Sequence, residues 1–267
     1  MSETARPRII SVANQKGGVG KTTTTINLGA GLAILGKRVL ILDLDPQGNA
    51  STGLGVENRD LTTYELILEG EPLSAVIQST GIKGLDISPA TTDLSSADVE
   101  LVNNEKKVFL LKDALSGDAI SAYDYVLIDC PPSLSLLTVN ALVASDAVLV
   151  PLQSEFFALE GLSQLMLTVR QVRNTANPAL RIDGVVLTMF DLRNNLSRQV
   201  EDDTRETLGS LVYETKIPRN VRLSEAPSYA MSVFEYDPAS KGSEAYMNLA
   251  KEVIARQDVN LTQGENA

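Results

Sequence analysis

The sequence predicts an α/β fold, a doubly wound and mostly parallel sheet with helices on both faces. Three observations carry that prediction. Six short apolar runs recur along the chain, each of a length suited to a strand buried on both sides. Segments of helical length and pattern separate most of them, which is the rhythm of strand, crossover helix, strand. A glycine-rich stretch, Lys16–Thr23, lies directly between the first apolar run and the first helical segment. In a doubly wound sheet that is where a ligand binds, at the carboxyl ends of the strands.

The elements follow in order. Ile9–Ala13 reads as the first strand, and Lys21–Leu35 as a helix stopped by Gly36. Val39–Leu42 is the second strand, running into the turn Asp43-Leu44-Asp45-Pro46-Gln47-Gly48. Helical patterns at Thr62–Leu68, Ser95–Val102 and Lys107–Leu115 surround a third strand, Leu85–Ser88. Tyr125–Ile128 is the next strand, Leu134–Ala144 a helix, and Ala147–Leu152 another strand. Glu160–Asn174, Ser197–Leu208 and Ser240–Arg256 read as helices, with a last strand at Gly184–Phe190. No repeat, low-complexity tract or linker divides the chain, so residues 1–267 are expected to form one domain with a frayed polar tail at about 257–267.

Composition excludes several chemistries. Hydrophobic residues are 43% and charged residues 21% of the chain, ordinary values for a globular protein. Cys130 is the single cysteine and histidine is absent, which removes disulfide frameworks, Cys/His zinc sites and histidine acid–base catalysis from one chain. Cys130 itself reads as a small buried residue beside a strand end. The polar start, Met1 to Arg8, carries no signal peptide, and no apolar run spans a bilayer, so a cytoplasmic protein is expected. A net charge of −11 opposes nucleic-acid binding unless basic residues cluster locally.

The glycine-rich stretch has the chemistry of a phosphate site. Gly17, Gly18 and Gly20 let successive N–H groups turn inward on an anion, and the following helix adds its positive end. Lys21 would reach phosphate oxygens, and the Thr22 hydroxyl would ligate a Mg²⁺ bridging them. The usual pattern G-x-x-x-x-G-K-[ST] wants glycine where Gln15 stands, and an extra lysine, Lys16, follows it. The run Lys16-Gly17-Gly18-Val19-Gly20-Lys21-Thr22-Thr23 thereby resembles the deviant Walker A loop of the ParA/MinD family of P-loop ATPases. That resemblance implies binding of ATP with Mg²⁺ and its hydrolysis.

Two further motifs extend the site. Asp43 and Asp45 flank Leu44 at a strand mouth, so strand alternation points both acids to one side. The resemblance makes this switch I and implies that Asp45 orients the attacking water; Asp45 is also expected to hold the metal through water, and Asp43 is the alternative candidate for the metal's water shell. Asp129 ends a hydrophobic strand, the arrangement of a carboxylate that holds a Mg²⁺-bound water, and Pro131-Pro132 resemble switch II. Farther on, Gly184–Asp191 and Ile217–Ser228 are similar to the later part of ParA/Soj chromosome-partitioning ATPases. There the residues matching Pro218 and Asn220 lie against adenine.

Charge adds a basic group, Arg193, Arg198, Lys216, Arg219 and Arg222, opposed by Glu201, Asp202, Asp203 and Glu206 nearby in sequence. On charge alone this is a solvated surface. The resemblance implies instead non-specific DNA binding at Arg193 and Arg222, and Arg198 and Arg219, their neighbours in the basic group, are expected to contact phosphates with them. It further implies an ATP-dependent homodimer in which Lys16 reaches the partner's phosphates, a ParB-type centromere-binding stimulator, and a place on the nucleoid. Three alternatives differ in class. A MinD-like membrane-surface ATPase would end in a basic amphipathic helix, whereas residues 251–267 carry no net positive charge. An iron–sulfur reductase needs two cysteines per subunit. A non-catalytic nucleotide scaffold would lack the acid at Asp45.

Overall fold

The computed structural model describes residues 6–155 and 158–264. Among them lie seven strands, β1 Arg8–Val12, β2 Val39–Asp43, β3 Gln78–Ser79, β4 Leu85–Ser88, β5 Tyr125–Asp129, β6 Ala147–Gln153 and β7 Arg181–Thr188. They form one sheet in the order β3-β4-β2-β5-β1-β6-β7. Every pairing is parallel except β3 with β4, where two residues turn back along the edge. The doubly wound, mostly parallel sheet expected from the sequence is therefore present. The β3 edge was not foreseen, since Gln78 and Ser79 have no apolar pattern.

Burial on both faces explains the continuous apolar runs. Neighbouring residues of a strand enter different cores: Ile9 faces one cluster and Ile10 the other, as do Leu40 and Ile41. The first core packs against the helices Leu136–Ala144 and Ala158–Thr175, through residues such as Leu142 and Leu165. The second packs against Lys21–Ile34 and Lys241–Gly264, where Ala250 lies 3.1 Å from the Cβ that Gly31 lacks. This close approach lets the last helix lie flat on the first.

Several boundaries differ from the predicted ones. The expected helix Thr62–Leu68 becomes a π-helical turn, Glu65–Glu69, entered through Thr62, whose N–H and hydroxyl both donate to Glu65 Oε2 at 2.7 Å. The expected helix Lys107–Leu115 contracts to Leu110–Ala114, because Asn140 takes the carbonyl of Lys107 and the N–H of Leu111. Ser95–Val102 divides into a 3₁₀ turn, Thr92–Ser96, and the helix Ala97–Glu100. The last helix continues through Gly264, past its expected end at Arg256, while residues 265–267 of the expected tail fall outside the described part. Met1–Ala5 do so as well. Short helices at Asn49–Gly53, Leu73–Val76, Val221–Glu225 and Val233–Tyr236 had too few residues to show a period.

Strand order turns around β1. The chain leaves β1 toward β2 on one side, and β6 and β7 lie on the other. The loop after β1 thus opens at the point where the winding reverses, with the ends of β2, β5, β6 and β7 around it.

Candidate functional site: a phosphate loop at the switch point

The loop is bent where only glycine bends freely. Gly18 has φ of 74° and Gly20 of 87°, both left-handed, and Gly20 caps the helix Lys21–Ile34. Its two flanks are tied to neighbouring strands. Asn14 Nδ2 donates to the Pro151 carbonyl of β6 at 2.8 Å, while Asn14 Oδ1 accepts the N–H of Lys16 at 3.0 Å. The Thr188 hydroxyl at the end of β7 donates to the Val19 carbonyl at 2.8 Å. Gly17 and Gly18 are left exposed at the crest, and Thr22 and Thr23 are half-buried at the helix start.

The two lysines part company. Lys21 is only 6% exposed, and its ammonium donates to the Lys16 carbonyl at 3.1 Å. Burial pulls its pKa below the usual lysine value, and the acids Asp129 and Asp45 act against that. The Lys16 side chain instead lies outward, with its Nζ 2.8 Å from Glu155 Oε2 in a solvent-exposed pair.

Asp129 ends β5 opposite Val12 on one side and Asp43 on the other. It is fully buried, and Oδ1 accepts from the Thr25 hydroxyl at 3.1 Å, with Thr22 near enough to act against the upward shift of its pKa. Oδ2 has no hydrogen-bond partner. Burial, then the neighbouring Asp43, pushes the Asp129 pKa up to about 8. A buried carboxylate oxygen without a donor, beside a lysine and two threonine hydroxyls, is suited to a divalent cation and its water shell.

Asp43 does not share that role. Its Oδ2 accepts the N–H of Ser51 at 2.9 Å and the Ser51 hydroxyl at 2.6 Å, and its Oδ1 accepts the N–H of Asp45 at 3.2 Å. Both oxygens are committed to the chain that follows, so the expectation that Asp43 faces the metal's water shell is corrected. The alternation argument failed because β2 ends at Asp43 and the chain then turns. Burial pushes Asp43 up to about 6. Asp45 sits in the turn, its Oδ1 accepting from Gln47 N at 3.0 Å and its carbonyl from Gly48 N at 2.8 Å. Gly48 is left-handed, and a Cβ there would meet Arg59 Nη1 at 2.7 Å and the Ala90 carbonyl at 2.9 Å.

Beside the loop lies a cavity of about 190 Å³, bounded by Gly20, Thr23, Met189, Pro218, Asn220 and Tyr246. Pro218 is held against the sheet by its bridge to Phe190, and Asn220 caps the helix Val221–Glu225 by accepting from Arg222 N at 2.9 Å. These two residues, about 200 positions from the loop in sequence, are thereby brought beside it.

Four of the basic residues are held by neighbouring side chains. Arg193 and Arg219 border a common groove, in which the Arg193 guanidinium pairs with Asp191 at 3.0 Å. Arg198 is bonded to Asn195, and Lys216 is taken by Glu201 at 2.8 Å. Arg222 pairs with both Glu225 and Asp237, at 2.9 and 3.2 Å, and lies outside that groove. Cys130 is buried, and burial pushes its thiol up, away from reactivity.

Sequence reasoning passed over Thr25, Ser51, Thr188 and Tyr246. Thr25 alone carried a signal, since it lies three residues beyond Thr22 on the same helix face. The others act across the fold.

Comparison with known proteins agrees with this geometry. The profile of a family described as an AAA domain matches residues 7–182. The chromosome partitioning protein ParA of Caulobacter vibrioides is 55% identical over 253 residues, covering 94% of this chain and 95% of the relative. The sporulation initiation inhibitor protein Soj of Bacillus subtilis is 52% identical over 250 residues, covering 93% and 98%. A solved structure described as a cobyrinic acid a,c-diamide synthase from Mycobacterium smegmatis, with bound ADP and magnesium, superposes with a TM-score of 0.82 at 36% identity, covering 94% of this chain and 96% of that one.

Proposed function

Because this chain belongs to the ParA/Soj family of chromosome-partitioning ATPases, we propose that its ATP-bound form is a dimer that binds DNA without sequence preference and is released by hydrolysis. The protein is an ATPase that uses ATP with Mg²⁺. One observation carries the assignment of the site: the left-handed loop, buried Lys21, Asp45 and the partnerless Oδ2 of Asp129 converge at the switch point of the sheet.

The loop N–H groups and Lys21 bind the phosphates and neutralise charge that grows on them during transfer to water. Thr22 would hold Mg²⁺ directly and Asp129 through water, and the ion supplies further charge neutralisation when bound. Asp45 orients the attacking water, which is an effect of position. Pro218 presents a flat apolar face to adenine. Asn220 has its oxygen occupied by the cap, leaving its amide N–H groups for the base.

Lys16 gives the dimer its dependence on ATP. Its pair with Glu155 is exposed on both sides and therefore weak, and the phosphates of a second subunit are a stronger partner for the same ammonium. Hydrolysis removes the γ-phosphate, and the two halves part. DNA contacts at Arg193, Arg198, Arg219 and Arg222 are then halved, and affinity falls with them. A ParB-type protein is the expected stimulator, and the nucleoid the expected location.

Co-sedimentation with DNA in ATP, ADP or no nucleotide tests this. DNA binding with ATP alone is the expected result, and equal sedimentation in all three conditions overturns the proposal.

A further inference from the structure

We propose that Ser51 is a positioning residue for ATP hydrolysis: together with Asp43 it closes the loop that carries Asp45, and it acts on the reaction through that carboxylate. The inference rests on the reading of Asp45 as the residue that orients water.

Asp45 stands in a turn between β2 and the helix Asn49–Gly53, with left-handed Gly48 at its end. Such a turn has many conformations open to it when its ends are free. Here they are not. The N–H and the hydroxyl of Ser51 both donate to Asp43 Oδ2, at 2.9 and 2.6 Å, while Asp43 Oδ1 takes the N–H of Asp45 at 3.2 Å. One buried carboxylate therefore joins the first, third and ninth residues of the segment from 43 to 51. Asp43 is itself fixed in register opposite Asp129.

A second tie leads away from the loop. Ser51 Oγ accepts the N–H of Ala90, just beyond β4, at 2.9 Å. The Ala90 carbonyl accepts from Arg59 Nη1 at 3.2 Å, and Arg59 Nη2 donates to the Thr52 hydroxyl at 2.8 Å. The helix after the turn is thus held to two strands, β2 and the exit of β4. Ser51 is 0% exposed, so water does not replace its hydroxyl when that is removed. Orienting a water is sensitive to displacements well below the size of an atom, and a loosened turn loses rate while leaving the phosphate loop as it was.

The test uses the full chain and compares ATP affinity by calorimetry with single-turnover hydrolysis. Ser51→Ala is expected to keep its ATP affinity within about threefold while hydrolysis falls about 10- to 100-fold. Ser51→Thr, which keeps the hydroxyl, is expected to recover most of the rate. In an Asp45→Ala background Ser51→Ala is expected to cause no further loss, because the two act as one unit. Arg59→Ala removes the adjoining bonds, to the Ala90 carbonyl and the Thr52 hydroxyl, from a partly exposed side chain and is expected to loosen the same helix and show the same split at smaller size, which keeps the test open if Ser51→Ala does not fold.

Parent-like hydrolysis in Ser51→Ala overturns the proposal, as does parent-like hydrolysis in Arg59→Ala where Ser51→Ala does not fold. So does a full additional loss in the Asp45→Ala background, or a fall in ATP affinity matching the fall in rate. If Asp45→Ala itself hydrolyses at the parent rate, the reading of Asp45 falls and this proposal with it. If Asp45→Ala is inactive and Ser51→Ala is not, only the proposal falls.

Discussion

Lys21 and Asp45 lie in the same site, yet their removal is expected to have opposite consequences for the dimer. Lys21→Ala deletes a charged phosphate contact of about 1.5–3 kcal/mol, or roughly 10- to 100-fold in ATP affinity. Calorimetry is expected to show that loss, and DNA binding disappears with it. Asp45→Ala is expected to retain ATP, because the loop and Lys21 are untouched, and to lose about 100-fold or more in hydrolysis. Its dimer then persists on DNA with ATP, whereas the parent leaves as ATP is consumed, a contrast that DNA dissociation kinetics read directly.

The acids at the ends of β2 and β5 set a pH dependence at the same scale. Asp129 is pushed up to about 8 and Asp43 to about 6, both chiefly by burial, from an ordinary value of 3.8. Below about pH 4 both folded and unfolded chains hold these protons, and the pair costs no stability. As pH rises toward 8 the unfolded chain has released them while the folded chain still holds them, so the nucleotide-free protein becomes less stable. Asp129→Asn is expected to flatten this decline. Thermal unfolding without nucleotide between pH 5 and 8 checks it, and a parent whose melting temperature rises across that range would contradict it.

Among the elements, the contrast lies between the loop after β1 and the loops after β7. The former is held by Asn14 and Thr188 and carries its chemistry in one stretch. The latter, with the short helix Val221–Glu225 among them, present arginines that are already engaged: Arg193 with Asp191, and Arg222 with Glu225 and Asp237. These pairs are exposed and exchange readily for phosphate. Arg193→Ala and Arg222→Ala are each expected to weaken binding to unrelated DNA sequences alike and to lower the salt slope by about one, with dimerisation unchanged. Binding titrations over a range of salt on two DNA sequences check this, and an effect confined to one sequence would contradict it.

For the whole molecule the decisive residue is Lys16. In one chain it is spent on Glu155, a surface pair of little energetic weight. Lys16→Ala is expected to bind ATP as a monomer and to fail to dimerise, which sizing with ATP present decides. A net charge of −11 sharpens the dependence, since two such chains repel unless bound charges at the interface are matched.

Local chemistry determined much of this protein from the sequence. Apolar runs buried on both faces specify parallel strands wherever they occur, and all six expected strands are present within a few residues. The glycines, Lys21 and Thr22 are consecutive, so their meeting needs only a turn into a helix. Tertiary structure decided whatever depends on strand order. It set Asp129 against Asp43, brought Pro218 and Asn220 beside Gly20, and gave Arg193 and Arg219 a common groove that Arg222 does not line. It also reversed the expectation for Asp43, because strand alternation ends where the strand ends, and the partner that claims its oxygens, Ser51, lies eight residues farther along, beyond the turn.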